Sequence, residues 1–421
     1  MILLLVLLIV LIFASVPLFL SIGVSTLAAF VQSDMPLFMI AQKMFDGINA
    51  YVLLAVPLFM LAGSIMDQGG MSKRLVDFSE ALVGHWRGGL AMTSILSSML
   101  FAGVSGSAAA DTAAVGSVLI PSMKDKGYDK NFAAAVVATG GSIGVIIPPS
   151  IPMIIYAFIA NISVGKLFLA GVFPGILIGI SLMLLVHFMS RKLHDHSNRH
   201  AFSIDRVWQT FRRAAWALGI PFIVVGGILG GFFTATESAA VAVIYALLVS
   251  LIVYRSLTWR KLYQAAVSAI QTSAIILVII SIATVFSWYL SMNNVQETLS
   301  HLFFILGHNP IAVLIVINLF LLVMGTFVET TASLILFVPV VAPILSTIGI
   351  DPLTAGVMIV TNLAIGMLTP PLGICLIVSG SIAKSSVLDI SRAILPFLLL
   401  MIVDLALIAF VPYLTTYLPS L

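Results

Sequence analysis

Two double prolines sit in apolar surroundings where backbone and hydroxyl oxygens are the main chemistry on offer. Gly144-Val145-Ile146-Ile147-Pro148-Pro149 and Gly366-Met367-Leu368-Thr369-Pro370-Pro371 lie 222 positions apart (370 minus 148). Proline has no N–H, so Pro148 and Pro149 cannot bond the carbonyls of Gly144 and Val145 within a helix. Pro370 and Pro371 leave the carbonyls of Gly366 and Met367 in the same position. In hydrocarbon, a freed carbonyl is tolerated only where it lines a protected polar cavity. Carbonyls grouped with hydroxyls are hard donors, suited to a hard cation such as Na⁺. A simple kink needs one proline, not two after a permissive glycine, repeated in both halves. The matched breaks therefore point to a secondary transporter with paired ion sites.

Each break has a partner cluster. Ser105, Ser107, Asp111 and Thr112 gather around Gly103 and Gly106; Thr326, Glu329, Thr330 and Thr331 follow Gly325. Cation ligation is expected from Ser105, Gly106, Ser142, Gly144, Val145 and Pro148 in the first half. In the second half it is expected from Gly325, Thr326, Thr330, Gly366, Met367 and Thr369, with Asn362 as a further polar neighbour. Each cluster also begins a helix, whose positive dipole end suits an anion without a dedicated Arg. Ser105, Ser107, Asp111, Thr112, Thr326, Glu329 and Thr330 are accordingly the expected substrate contacts. Plainer roles exist for the same residues. Thr326-x-x-Glu329 and Thr234-x-x-Glu237 both have the capping-box pattern, and Asp111 fits either a helix cap or a functional intramembrane carboxylate.

The elements that must position these residues follow from composition. The chain has 421 residues, of which 61% are hydrophobic and only 8% charged, against about 25% charged in soluble domains. Long uncharged runs such as 1–33, 214–236, 265–296 and 309–328 define an all-α polytopic membrane protein, with room for roughly ten to twelve crossings. Residues 1–33 lack a basic n-region and read as mature membrane helix, and Pro17 and Pro36 blur the boundaries within 1–49. A net charge of +3 gives no reason to expect a nucleic-acid partner. Walker, HExxH and paired CxxC motifs are absent, and no acid–base constellation supports an enzyme. Cys375, the single cysteine, reads as a small core residue.

Charge placement sets the topology. Nine of the nineteen Lys and Arg fall in 191–261, which places 191–213 and 255–261 in the cytoplasm. None occurs from Leu262 to Ala383, so the loop from His301 to Asn309 is expected outside. Basic residues flank the segment 89–122 on both sides, which makes it a re-entrant hairpin with its tip at 103–111. The segment 310–346 is the matching hairpin, opening from the other face. Broken helices are expected over 128–160 and 351–382, and interfacial stretches at 71–84 and 257–265. The C-terminus is expected outside.

The halves, 1–190 and 214–421, also match in sequence. Gly127-Tyr128-Asp129 pairs with Gly349-Ile350-Asp351, Thr139 with Thr361 and Pro174 with Pro396, all at the same spacing of 222 (351 minus 129). At the tips the spacing is 218 (329 minus 111). A repeat with inverted flanking charge marks an inverted-topology transporter. The polar linker 191–213 carries His194, His196 and His200, a composition that fits a solvated linker. Asp404, inside the last apolar run, has no partner evident from sequence.

The runs GVSGSAAADTAAVG (103–116), GGSIGVIIPPSIP (140–152), TATESAAVAV (234–243) and GMLTPPLG (366–373), with PLFMLAGSIMDQGGMSKRLVDF (57–78), resemble the large membrane subunit of TRAP transporters, the tripartite ATP-independent periplasmic (DctM-like) family. Ala235 departs from the family's frequent proline at that place, while Glu237 remains. The resemblance covers nearly the whole chain. It implies an inner-membrane protein working with a small four-helix membrane subunit and a periplasmic substrate-binding protein. It also implies a sodium gradient as driving force and a carboxylate substrate: a C4-dicarboxylate, sugar acid, sialic acid or keto acid. An elevator-type mechanism follows from the same likeness, with one sodium site at the 103–112 tip and 140–149 break and another at 325–330 and 366–370. Rival readings are a stand-alone sodium/carboxylate symporter of related architecture and, from another class, an ion channel.

Overall fold

The computed structural model describes residues 2–14, 16–190, 202–293 and 309–420. The His194, His196 and His200 tract and the expected outer loop from His301 to His308 lie outside these. Among the described residues, eight helices are long and apolar enough to cross a bilayer alone. The rest of the membrane-scale structure is made of shorter apolar helices, several of them placed where the sequence interrupts itself.

The first half opens with α1 (Ile2–Phe13), α2 (Leu18–Gln32) and α3 (Phe38–Ile48), separated at Pro17 and Pro36. α4 (Ala55–Gln68) and the amphipathic α5 (Met71–Val83) follow. Next come a helical pair, α6 (Gly89–Ser105) and α7 (Ala108–Asp125), an interrupted helix, α8 (Lys130–Ser142) and α9 (Ile151–Ile159), and the long α10 (Val164–Met189). The second half opens with α11 (Ile204–Leu229), α12 (Ala235–Leu248) and α13 (Trp259–Met292). It then repeats the order: a pair, α14 (Pro310–Phe327) and α15 (Thr330–Thr347), an interrupted helix, α16 (Pro352–Gly366) and α17 (Ile374–Ala383), and the long α18 (Val387–Phe410).

Local chemistry explains the repeated order. Gly127 and Gly349 both take positive φ, 84° and 82°, and turn the chain out of α7 and α15. Two residues later Asp129 and Asp351 cap the next helices: Asp129 accepts from Asn131 and Phe132 N–H, Asp351 from Leu353 and Thr354 N–H. Such caps satisfy N–H groups that the first turn leaves open. Pro174 and Pro396 occupy matched places inside α10 and α18.

Two sequence-based boundaries shift. α11 begins at Ile204, inside the stretch expected as linker, because Ser203 caps it and Arg206 reaches Glu80 of α5 at 3.5 Å. The 257–265 stretch, expected to lie at the interface, runs directly into α13, which begins at Trp259. Thr258 caps α13, and no Gly or Pro interrupts the chain from Trp259 to Met292. At 34 residues this helix is about 51 Å long by helix rise, well beyond the roughly 30 Å hydrocarbon core.

Packing gathers the repeated elements around the interrupted helices, while α5 meets both α6 and α11. α7 and α17 lie against α8, and α14 and α15 against α16; α10 and α18 meet each other and back the interrupted helices. α13 packs on α2, α3 and α4, α12 on α4, and α11 on α5. One apolar core runs through most of the molecule. A smaller one joins α1, α2 and α13 around Phe30, Phe286 and Tyr289. The shorter repeated elements are the more completely buried: every residue of α8 from Phe132 to Ser142, and of α16 from Thr354 to Gly366, is inside.

Candidate functional site

The two helical pairs end against the two interruptions. At the first tip, α6 stops at Ser105, Gly106 turns with φ of 60°, and Ser107 enters α7 in an extended conformation. Gly106 is pressed onto the break: a Cβ there would lie 2.9 Å from the Pro149 carbonyl oxygen and 3.1 Å from the Ile151 nitrogen. At the second tip, a Cβ on Gly366 would come within 2.6 Å of the Gly325 carbonyl carbon, so the two backbones touch. Only glycine permits such approaches, which accounts for its place at both junctions.

Asp111, one turn into α7, is fully buried. Its Oδ1 accepts from the Ser105 hydroxyl, and Oδ2 has no partner among the described residues. A Cβ on Gly144 would fall 2.0 Å from that Oδ2, so the carboxylate rests directly on the backbone of the break. Thr112 stands in the same relation to Gly141, and its hydroxyl is spent on the Ala108 carbonyl at 2.8 Å. The Gly144 carbonyl has no donor among the described residues, whereas Val145 accepts from the Ser150 hydroxyl, which also caps α9. A serine hydroxyl and a carboxylate thus meet against the backbone of the break, where the Gly144 carbonyl also lacks a donor among the described residues; these are donors of the kind that suit a hard cation.

The second junction is differently furnished. The Gly366 carbonyl accepts from Thr369 N–H at 3.0 Å, and that of Met367 from Cys375 N–H at 3.2 Å. Thr326 and Thr369 hydroxyls bond back to Leu322 and Ile365 at 3.0 and 2.9 Å. Glu329 caps α15 by accepting from Ala332 N–H at 3.2 Å. The Thr330 hydroxyl is buried without a partner among the described residues. Asn362 Nδ2 donates to the Asn318 carbonyl and side-chain oxygen on α14, and its own Oδ1 has no partner among the described residues. Ser142 turns to the Thr139 carbonyl at 2.8 Å and faces Met401 of α18. Pro148–Pro149 and Pro370–Pro371 are both cis.

Between the tips lies a cavity of about 520 Å³. Of the residues expected to contact substrate, Ser107, Glu329 and Thr330 line it. Ser105, Asp111, Thr112 and Thr326 are buried but are not part of its lining. Gly106, Val145 and Met367, expected as cation ligands, also reach the wall. Sequence reasoning missed the opposite wall, built from α1, α2, α4 and α13 and including Phe19, Met60 and Ile279. Ordinary apolar residues carry no local signal of that role. Nor did the sequence reveal the partner of Asp404, whose carboxylate accepts from Ser181 of α10 at 2.6 Å. Thr234 and Glu237 do form the expected capping box. No group of three or more His, Cys, Asp or Glu that could hold a metal occurs among the described residues.

An all-helical, multi-pass fold with paired interruptions facing a shared cavity defines a membrane transporter. The chain belongs to the family described as "Tripartite ATP-independent periplasmic transporter, DctM component", which matches residues 5–414. It is 36% identical to the C4-dicarboxylate TRAP transporter large permease protein DctM of Rhodobacter capsulatus, over 99% of this chain and 98% of that one. It is 38% identical to the isethionate TRAP transporter permease protein DctMQ of Oleidesulfovibrio alaskensis, matching 94% of this chain but spanning only 63% of that longer protein. The fold resembles the YdaH transporter of Alcanivorax borkumensis with a TM-score of 0.64 at 15% identity, covering 90% and 88% of the two chains.

Proposed function

We propose that this chain is the sodium-coupled permease of a TRAP transporter that imports a carboxylate across the bacterial inner membrane. The observation that carries the reading is the buried Ser105–Asp111 pair resting on the Gly144 backbone at the first break, beside a cavity lined by both tips. Sodium bound there neutralises Asp111 and ties α7 to the interrupted helix, which fixes the cavity wall on which the substrate docks. The second junction offers carbonyls with one lone pair each still open and the unpartnered Thr330 hydroxyl to a second sodium ion. Residues 1–190 and 214–421 act as inverted repeats, with the two helical pairs re-entering from opposite faces. The cytoplasmic side carries 191–213, and the C-terminus is periplasmic.

The loaded group of α6–α10 and α14–α18 moves as a body past α1–α5 and α11–α13. A periplasmic binding protein delivers the carboxylate, and a small four-helix subunit completes the membrane assembly. The dicarboxylate and isethionate relatives support an organic-anion cargo; sugar acids, sialic acid and keto acids fall within the same reading.

The test is uptake into proteoliposomes holding the permease and small subunit, with the binding protein added outside. Replacing Pro148 and Pro149 by alanines restores the helical N–H donors that the break withholds. Uptake is expected to lose its dependence on external sodium. Unchanged sodium dependence overturns the site assignment. Full uptake without the binding protein favours the stand-alone symporter, and flux far above carrier turnover favours a channel.

A further inference from the structure

We infer that the rim built from α5 and the first turns of α11 and α13 is a seat for acidic phospholipid headgroups of the bilayer. The seat is independent of the cargo and of the driving ion. Positive charge is concentrated there. With His counted as neutral, residues 67–80, 203–213 and 254–263 carry eight Lys and Arg against four Asp and Glu, a net of +4 (8 minus 4). The whole chain carries +3, so everything else sums to −1 (3 minus 4). Basic residues just outside a membrane helix attract acidic lipids, by roughly fivefold in affinity for each one.

The fold gathers these three segments in one place. α5 packs along α11, and Arg206 reaches Glu80 at 3.5 Å. The Arg74 guanidinium lies over the Tyr254 ring at 3.8 Å, and the Tyr254 hydroxyl donates to the Arg213 carbonyl at 2.7 Å. The Ser256 hydroxyl donates to the Gly69 carbonyl at 2.5 Å, and Lys261 Nζ to the Ser256 carbonyl at 3.1 Å. Asp77 lies among Lys73, Arg206 and Arg213 and offsets part of their charge. Arg212, Arg255 and Arg260 are exposed and form no ion pair among the described residues.

Helix length and aromatic placement select a bilayer over a soluble acidic partner. α11 spans 26 residues, about 39 Å by helix rise, and α13 about 51 Å, so both outrun the roughly 30 Å hydrocarbon core. Arg206, Arg212 and Arg213 put the overrun of α11 in its first turns, and Arg260 and Lys261 do the same for α13. Trp208, Trp259 and Tyr263 stand in those turns, 59%, 83% and 67% exposed. Indole and phenol rings favour the headgroup level, where one end is apolar and the other wet. In bulk water the same rings, with Ile204 at 74% exposure, would gain no cover for their apolar surface.

The experiment measures thermal unfolding of the purified permease–small subunit complex in detergent, titrated with dioleoyl phosphatidylglycerol or dioleoyl phosphatidylcholine. A ligand bound by the folded state raises the melting temperature. Phosphatidylglycerol is expected to raise it, and phosphatidylcholine, with the same chains, to leave it unchanged. The shift is expected to shrink as salt rises, because exposed charges are screened. Arg212→Gln, Arg213→Gln and Arg260→Gln together are expected to weaken phosphatidylglycerol about a hundredfold, three charges at fivefold each, and so to remove the shift. Lysine at the same three places keeps the charge and is expected to keep the shift; its loss there overturns the reading by charge. Equal shifts with both lipids, a shift indifferent to salt, or an undiminished shift in the glutamine variant overturns the inference. Glycerol phosphate, a headgroup without chains, and polyglutamate are both expected to leave the melting temperature unchanged. If either reproduces the shift, the rim holds a soluble anion or an acidic protein segment, and the inference fails.

Discussion

The two tip-and-break junctions share their order of elements and differ in what their polar groups have left to give. At the first, the Asp111 Oδ2 and the Gly144 carbonyl have no partner among the described residues, and the Ser107 side chain does not cap α7. At the second, Glu329 is spent on a cap, and the Gly366 and Met367 carbonyls accept from Thr369 and Cys375. Repetition of a backbone plan therefore does not entail repetition of its chemistry. One acid placed four residues into α7 and another placed just before α15 send equivalent carboxylates to different work. The first enters the buried junction, and the second closes a helix end.

Substitutions that disturb the contact between tip and break are expected to have the largest effects. A methyl group on Gly366 meets the Gly325 backbone, which cannot turn aside, whereas one on Gly144 meets the Asp111 side chain. Overpacking of this kind costs about 1–3 kcal/mol, or roughly five- to 150-fold in a coupled equilibrium. Gly366→Ala is expected to lower both melting temperature and uptake, and Gly144→Ala to lower uptake with a smaller loss of stability. Equal losses of stability would remove the contrast between backbone and side-chain contact.

Next in size is the exchange of the acids for amides. Asp111→Asn is expected to raise the sodium concentration for half-maximal uptake by about tenfold, the order of one hydrogen-bonded charge. Glu329→Gln keeps a capping oxygen, and its effect on sodium dependence is expected to stay below about threefold. Sodium titrations of uptake read both, and a larger effect for Glu329 would reverse the assignment of roles. The smallest effects are expected from Thr326→Val and Thr369→Val, whose hydroxyls bond the nearby carbonyls of Leu322 and Ile365, four residues back. About a twofold change in uptake is the expected ceiling, since such local bonds compete with ones already made by the helix. A tenfold loss at either would place that hydroxyl on the cargo.

Much of the architecture was legible because membrane helices advertise themselves. Uncharged runs gave the long helices, and the spacing of 222 that pairs Asp129 with Asp351 marked the repeat. The proline pairs marked the interruptions, since a residue without an N–H cannot be hidden by context. Boundaries with weaker local signals moved: α11 reaches back to Ile204, where Ser203 caps it and Arg206 comes within 3.5 Å of Glu80, 126 positions away (206 minus 80). At the site, sequence identified the polar residues and left open what each one bonds. Glu329 and Asp111 both fitted a cap or a ligand, and only packing separated them.

By itself the sequence determined where the matched helices break, because the N–H supply that proline withholds and the freedom that glycine adds act within a few residues. Tertiary structure decided which oxygens remain free. It brought Gly144 under Asp111, Cys375 N–H to the Met367 carbonyl, and the apolar side chains of α1, α2, α4 and α13 opposite the tips. Those relations join residues far apart in the chain. Free oxygens and cavity walls are properties of what lies nearby in space, which short-range chemistry does not encode.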